Sequence, residues 1–244
     1  MILEVNVILE RIQKILSARG VASRRTAEQW ILQGRIMKNG IPCQLGDVAD
    51  PQVDEIRIDG KLLPAEEKPV YILLHKPRGY VTTLSDEKGR KTVAELVKDC
   101  PQRVYPVGRL DMDSEGLLIM TSDGDFANLL MHPKHVVDKV YLIWVRGFSQ
   151  ENFEKLKEPV ELDGYRIQPP EVRFLRNEPS GSLLQVTIHE GRIRQIRRMC
   201  EIAGMRVIRL KRIREGHLEL GDLKLGSWRY LTEDEVSLFQ ETKR

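Results

Sequence analysis

Three acids at alternate positions, Asp111, Asp113 and Glu115, lie in the glycine-bounded run Val107-Gly-Arg-Leu-Asp-Met-Asp-Ser-Glu-Gly-Leu-Leu-Ile-Met-Thr, whose end is an apolar segment of strand length. Carboxylates so placed can ligate a hard cation, or act as acid, base or nucleophile at a sugar carbon. Asp111, Asp113, Glu115 and Gly116 match positions one, three, five and six of a calcium loop. Position twelve is Ser122 instead of glutamate and strand residues follow, so calcium is set aside. Composition alone favours a surface turn with solvated acids. A second segment, Glu190-Gly-Arg-Ile-Arg-Gln-Ile-Arg-Arg-Met, gathers arginines. Ile196, Met199, Cys200 and Ala203 recur at helical spacing as a core stripe, which turns Arg194, Arg197 and Arg198 toward a cleft or solvent. His132 and His135 lack a third ligand nearby, so no metal site is read from them.

Lys and Arg number 39 against 36 acids in 244 residues, a formal net charge of +3. The near-balance hides two basic islands: residues 8–40 carry a surplus of five and residues 192–214 a surplus of eight, leaving an acidic remainder. Such islands suit a polyanion at two places, although each alone also fits a solvated helix face. No apolar run approaches the ~20 residues that span a bilayer. The opening MILEVNVILE carries an acid where an export signal wants positive charge, and lacks a small-residue cleavage site. Cys43, Cys100 and Cys200 are odd in number and widely spaced, suggesting neither disulfides nor zinc, and a reducing cytoplasm is the expected setting.

The elements that must hold these residues fall into two groups. Ile12, Ile15 and Leu16 are spaced as in a helix ending at Gly20. Ser23 caps a second helix through Gln33, whose stripe is Ala27, Trp30 and Ile31. Asn39-Gly40 signals a hairpin, and residues 55–59 a strand. This predicts a small domain over 8–62 that presents Arg11, Lys14, Arg24 and Arg25. The proline-bounded stretch 63–69 reads as a linker. From 70 to 244, apolar runs beginning at Val70, Leu117 and Val140 read as strands, with an alternating one at Leu183–Ile188. Helices are expected over 125–131, after Ser149, over 195–203 and after Thr232, the last through a capping box with Glu235. Strands outnumber helices and tight turns join many of them, so the expected class is α+β with a mainly antiparallel mixed sheet.

In this setting Gly108-Arg-Leu-Asp111, followed by Ser114-Glu-Gly-Leu-Leu and Thr121-Ser-Asp-Gly, resembles the catalytic-aspartate motif of RNA pseudouridine synthases, specifically the ribosomal RsuA/RluB-type family. Leu74-His-Lys-Pro-Arg-Gly-Tyr-Val, His132-Pro-Lys with Lys139-Val-Tyr141, Gln195-Ile-Arg197 and Leu210-Lys-Arg-Ile resemble further family motifs in family order. Ala22-Ser-Arg-Arg, Gly34-Arg and Lys38-Asn-Gly resemble an S4 RNA-binding domain. The resemblance implies isomerisation of uridine in ribosomal RNA, of the large subunit more than the small, without metal or cofactor, by a monomer acting on ribosomal RNA or a pre-ribosomal particle. It assigns catalysis to Asp111, uracil stacking near C5 to Tyr141, and a salt bridge to Asp111 to Arg197. Arg109 resembles a family position linked to opening the RNA; Lys139, Arg192, Arg194 and Arg198 are expected to touch RNA, and Lys76, in the first sheet motif, is read as architectural or as touching an RNA phosphate. Ile193 departs from the pattern, standing where a polar residue is expected. The competing reading is an RNA-binding assembly factor without chemistry.

Overall fold

The computed structural model describes residues 9–132 and 134–241. Residues 1–8 of the stretch read above for export, and Pro133 of the His-Pro-Lys motif, lie outside them. The chain divides into two compact units between Pro69 and Val70.

The amino-terminal unit runs β1 (Glu10–Arg11), α1 (Ile12–Ala18), α2 (Arg24–Leu32), β2 (Ile36–Lys38), β3 (Ile41–Pro42), β4 (Val48–Ala49), β5 (Ile56–Ile58) and β6 (Lys61–Leu62). Ser23 caps α2 by accepting the Thr26 N–H at 3.1 Å. Asn39 adopts a left-handed conformation at φ 51° to turn β2 into β3, the role its pairing with Gly40 predicts. Ile12, Ile15, Leu16, Ala27, Ile31 and Ile36 form the core. Leu63 joins this core and donates its N–H to Ile56, so the stretch read as a linker starts later than expected.

The larger unit comprises β7 (Tyr71–Lys76), α3 (Val93–Leu96), β8 (Tyr105–Val107), β9 (Glu115–Thr121), α4 (Gly124–Met131), β10 (Lys139–Arg146), α5 (Gln150–Leu156), β11 (Val160–Leu162), β12 (Tyr165–Ile167), β13 (Glu171–Glu178), β14 (Gly181–Ile188), α6 (Gln195–Ile202), β15 (Arg206–Glu215), β16 (Leu218–Glu219), β17 (Trp228–Tyr230) and α7 (Glu233–Glu241). Its sheet has the order β13-β14-β10-β15-β9-β7-β17, with β8 added to β9 and β16 to β15. Every pairing is antiparallel except β15 with β9. One face packs Ile72, Leu74, Leu118, Ile143 and Leu184 against Phe153 of α5 and Ile196, Met199 and Cys200 of α6. The other packs Leu73, Leu117 and Ile119 against Phe126 and Leu130 of α4 and Phe239 of α7. β9 is buried along its whole length, as an unbroken apolar run requires of a central strand.

The parallel join determines what may stand at Gly116. A Cβ there would lie 2.2 Å from the Arg212 carbonyl oxygen, and φ is +116°, so only glycine fits. The same glycine closes the acidic loop, tying the position of that loop to the centre of the sheet.

Candidate active site

The acidic loop between β8 and β9 is held through its backbone. The Thr82 hydroxyl donates to the Leu110 carbonyl and accepts the Leu110 N–H, at 2.5 and 3.2 Å. Gly79 donates its N–H to the Met112 carbonyl at 2.7 Å, and Ser114 N–H closes a turn on the Asp111 carbonyl at 3.0 Å. At the centre lies Lys76, 0% exposed at the end of β7. Its ammonium donates to the carbonyls of Pro77, Asp111 and Ser114 at 3.1, 3.0 and 2.9 Å. Burial pushes the Lys76 pKa down to about 8, against the attraction of Asp111, Asp113 and Glu115. Of the two roles read for Lys76, the phosphate contact is therefore corrected: its ammonium is committed to the loop beneath Asp111.

These anchors leave the Asp111 and Asp113 side chains half-exposed, facing α6. Arg194, at the start of that helix in a left-handed conformation (φ 53°), grips Asp113 with both Nη atoms at 3.2 Å. It also reaches the Asp111 carboxylate at 3.7 Å. Arg197 lies deeper, its side chain 12% exposed, 3.3 Å from the Asp113 carboxylate. It further donates to the Asp113 carbonyl, Ser114 Oγ and the Val207 carbonyl. The expected Arg197–Asp111 salt bridge is thus replaced: Arg197 pairs with Asp113, and Arg194 spans both acids. The physical reason is local. Asp113 offers Arg197 a carboxylate and a carbonyl together, and the turn at 111–114 points both toward the helix. Burial raises the Asp113 pKa, but the Arg194 hydrogen bonds and the Arg197 charge outweigh it, so this carboxyl lies below its usual range. Burial lowers the Arg197 pKa despite Asp113 and Asp111.

Tyr141 is 7% exposed in β10, on the sheet face that packs against α6. Burial raises its pKa, with the Arg212 charge beside the phenol opposing. Arg212 is the residue of this centre that the sequence reading missed. It sits opposite Tyr141 in the β10–β15 register, is 2% exposed, and donates to the Leu117 carbonyl at 2.7 Å. Glu215 lies 3.2 Å away, and Lys139 lies 3.8 Å from Glu215. Burial works against the Arg212 charge, while Glu215 and Tyr141 outweigh it and hold its pKa up. Period-two spacing from the apolar Leu210 would have marked Arg212 as inward-facing. Lys139, expected on RNA, is instead mostly buried, donating to the Val137 carbonyl at 3.0 Å.

The remaining expected RNA contacts lie farther out. Arg109 is exposed beside Asp111 in sequence, and Arg198 makes a two-pronged pair with Asp163 at 2.6 and 2.9 Å. Arg192 stacks on Tyr165 at 4.0 Å and pairs with Glu190 at 3.2 Å. In the amino-terminal unit Arg11, Arg24 and Arg25 are exposed, and Lys14 pairs with Glu10 at 2.9 Å. Ile193 is 80% exposed at the mouth of the arginine segment. Among the described residues no group of three His, Cys, Asp or Glu side chains could hold a metal ion, and no helix is long and apolar enough to cross a membrane.

A carboxylate loop anchored to a mixed sheet, faced by a tyrosine strand and an arginine helix and joined to a two-helix module, defines the class. The chain belongs to the RNA pseudouridylate synthase family, whose model matches residues 70–202, with an S4 domain matched over residues 10–52. It is an RNA-modifying isomerase. It is 45% identical over 232 residues to the ribosomal large subunit pseudouridine synthase B of Bacillus subtilis, covering 93% of this chain and 94% of that one. With the protein of the same description from Pseudomonas aeruginosa it shares 37% identity over 95% of this chain and 62% of that one. A crystal structure of a pseudouridylate synthase is similar to it with a TM-score of 0.66 at 29% identity, over 94% of this chain and 99% of that one.

Proposed function

We propose that this protein converts one uridine of large-subunit ribosomal RNA to pseudouridine, with Asp111 as the catalytic carboxylate. The reaction breaks the bond from N1 to C1′, turns the uracil, and joins C5 to C1′; the proton leaving C5 is matched by one gained at N1. No redox change occurs. A carboxylate suits C1′, where positive charge develops as the glycosidic bond breaks. The observation that carries the assignment is that, among the described carboxylates, Asp111 alone combines a backbone clamped by Lys76 and Ser114 with a half-exposed side chain in the cleft.

In this reading Arg194 aims the Asp111 carboxylate, and Arg197 holds the turn through Asp113. Tyr141 stacks on the uracil with its hydroxyl near C5, positioned by Arg212. The uridine is flipped out of its stack, and Arg109 fills the space it leaves; the cost of unstacking, a few kcal/mol, is offset by backbone contacts. Residues 8–62 supply part of these through Arg11, Arg24 and Arg25, and residues 70–244 carry the chemistry. The enzyme acts as a cytoplasmic monomer on ribosomal RNA or a pre-ribosomal particle. Similarity to proteins described as acting on the large subunit favours that target over the small subunit.

The test is tritium release from ribosomal RNA carrying 5-³H-uridine. Wild type releases tritium, and Asp111→Ala does not. Release by the Asp111→Ala protein rejects the carboxylate assignment, and release from small-subunit RNA alone rejects the target. A protein that binds RNA yet never releases tritium is the assembly factor of the competing reading.

A further inference from the structure

The sheet face opposite Tyr141 holds a second polar site. Its geometry follows from the bulge in β15: Arg212 pairs with Tyr141 but Arg214 pairs with Val140, the neighbour of Tyr141 that points to the other face. Lys211 pairs with Leu142 and shares the face of Val140. Together with Gln185 of β14, Ile213, Glu219, Leu220 and Gly221, these residues line a cavity of about 310 Å³, at the small end of ligand-sized pockets. α4 and α7 cover this face of the sheet over β7, β8, β9 and β16, and Leu220, one wall of the cavity, joins their core.

The charges in the cavity distinguish it from the rest of β15. Arg209 is paired with Glu115 at 2.6 Å and stacked on Trp144, and Arg212 is paired with Glu215. Lys211 and Arg214, by contrast, make no ion pair and no side-chain hydrogen bond among the described residues, and Arg214 Nε is buried without a partner. Two cations against one carboxylate, Glu219, which stands opposite Arg214 in the β15–β16 register without an ion pair to it, leave this half-buried site a surplus of positive charge that an anion relieves. The walls are not uniformly basic. Gln185 and Glu219 accept hydrogen bonds from hydroxyl groups, and Ile213 and Leu220 offer an apolar surface.

We propose that this cavity binds one phosphate-bearing ribonucleotide unit, its phosphate on Lys211 and Arg214 and its ribose hydroxyls on Glu219 and Gln185. The unit is either a free nucleotide or a nucleotide of an RNA strand crossing the back of the sheet. The site is separate from the cleft at Asp111, so neither the identity of the catalytic carboxylate nor the choice of ribosomal subunit enters it.

Titrating the full-length protein with AMP, UMP and inorganic phosphate by calorimetry tests the free-nucleotide source, and binding of ribosomal RNA fragments over a range of salt tests the strand. Saturable nucleotide binding that weakens at least tenfold in the Lys211→Gln/Arg214→Gln variant supports the first. A salt slope of log Kobs reduced by about 0.7 in that variant, for one single-strand phosphate contact, supports the second. Should Arg214→Gln fold poorly, Lys211→Gln alone is the reporter, with at least a threefold loss of nucleotide affinity or a salt slope reduced by about 0.3, half of the one phosphate contact. No nucleotide binding together with an unchanged slope overturns the proposal.

Discussion

Lys76 makes the sharpest separation between positioning and stability. Its ammonium is fully buried, and a pKa of about 8 against an ordinary 10.5 means that keeping it charged costs about 3 kcal/mol at 1.36 kcal/mol per unit. Lys76→Met removes that cost but strips a donor from three carbonyls. The Asp111 carbonyl keeps the Ser114 N–H, so the loss falls on Pro77 and Ser114, at about 1 to 3 kcal/mol each. The two effects oppose one another, leaving a net change between about 1 kcal/mol of stabilisation and about 3 kcal/mol of destabilisation at pH 7. Turnover has no such compensation. A loop displaced by about an ångström costs on the order of a hundredfold in kcat.

The pH dependence gives a second signature. Below pH 8 both folded and unfolded chains hold the lysine proton. Between about 8 and 10.5 only the unfolded chain holds it, so stability rises with pH by up to about 3 kcal/mol relative to Lys76→Met. Over the same window a neutral amine with two N–H donors cannot serve three carbonyls, so kcat falls as stability rises. Urea melts from pH 7 to 10.5 and single-turnover tritium release on both proteins measure the two trends. Wild-type kcat in Lys76→Met, or an alkaline limb near pH 8 that survives in that variant, refutes the anchoring role.

The two acids of the loop separate cleanly by substitution: Asp111→Asn should lose more than a thousandfold in tritium release with its melting unchanged. Asp113→Asn should stay within about tenfold of wild type while losing about 1 kcal/mol of stability in urea melts, its pairs with Arg194 and Arg197 being only partly buried. Arg212→Met strands Glu215 in the interior and should destabilise by about 3 to 5 kcal/mol, with Arg212→Met/Glu215→Leu recovering most of it; a double variant as unstable as the single contradicts the buried-pair account. Gly116→Ala should lower stability by about 3 kcal/mol or more, because a methyl group meets the Arg212 carbonyl and φ is positive; a melting curve like that of wild type rejects the close approach.

Much of this fold was legible because local chemistry and burial agree where they were read. Ser23, Asp123, Ser149 and Thr232 cap helices where cap residues precede helical or turn signals. β9 and β10 show as apolar runs because they are central. The elements not read lack that agreement. β13 is mostly exposed and carries no buried alternation, and β15 interleaves arginines with apolar residues across two bulges, so its period of two is broken. α3 is a single turn whose Thr92-to-Glu95 capping box is its only strong mark.

The site was legible in its residue types and less so in its pairings. Arg194 and Arg197 were both expected off the core face of one helix, toward a cleft or solvent, but which carboxylate each would meet depends on the turn at 111–114, and that turn is fixed by Lys76 from a strand about 35 positions upstream. A basic residue in a basic sequence reads most simply as a hand for phosphate. Lys76, Lys139 and Arg212 are exceptions because each sits on a strand face that the sheet buries, where a cation persists only with carbonyls or carboxylates to hold it. The net positive charge of this enzyme is therefore divided by burial. Cations buried on strand faces beneath the cleft are held by carbonyls and carboxylates, and the exposed ones are those the proposed function assigns to RNA. The division implies different responses to salt: exchanging an outer arginine such as Arg24 should flatten the salt dependence of RNA binding, whereas exchanging Lys76 should leave that slope unchanged while turnover falls.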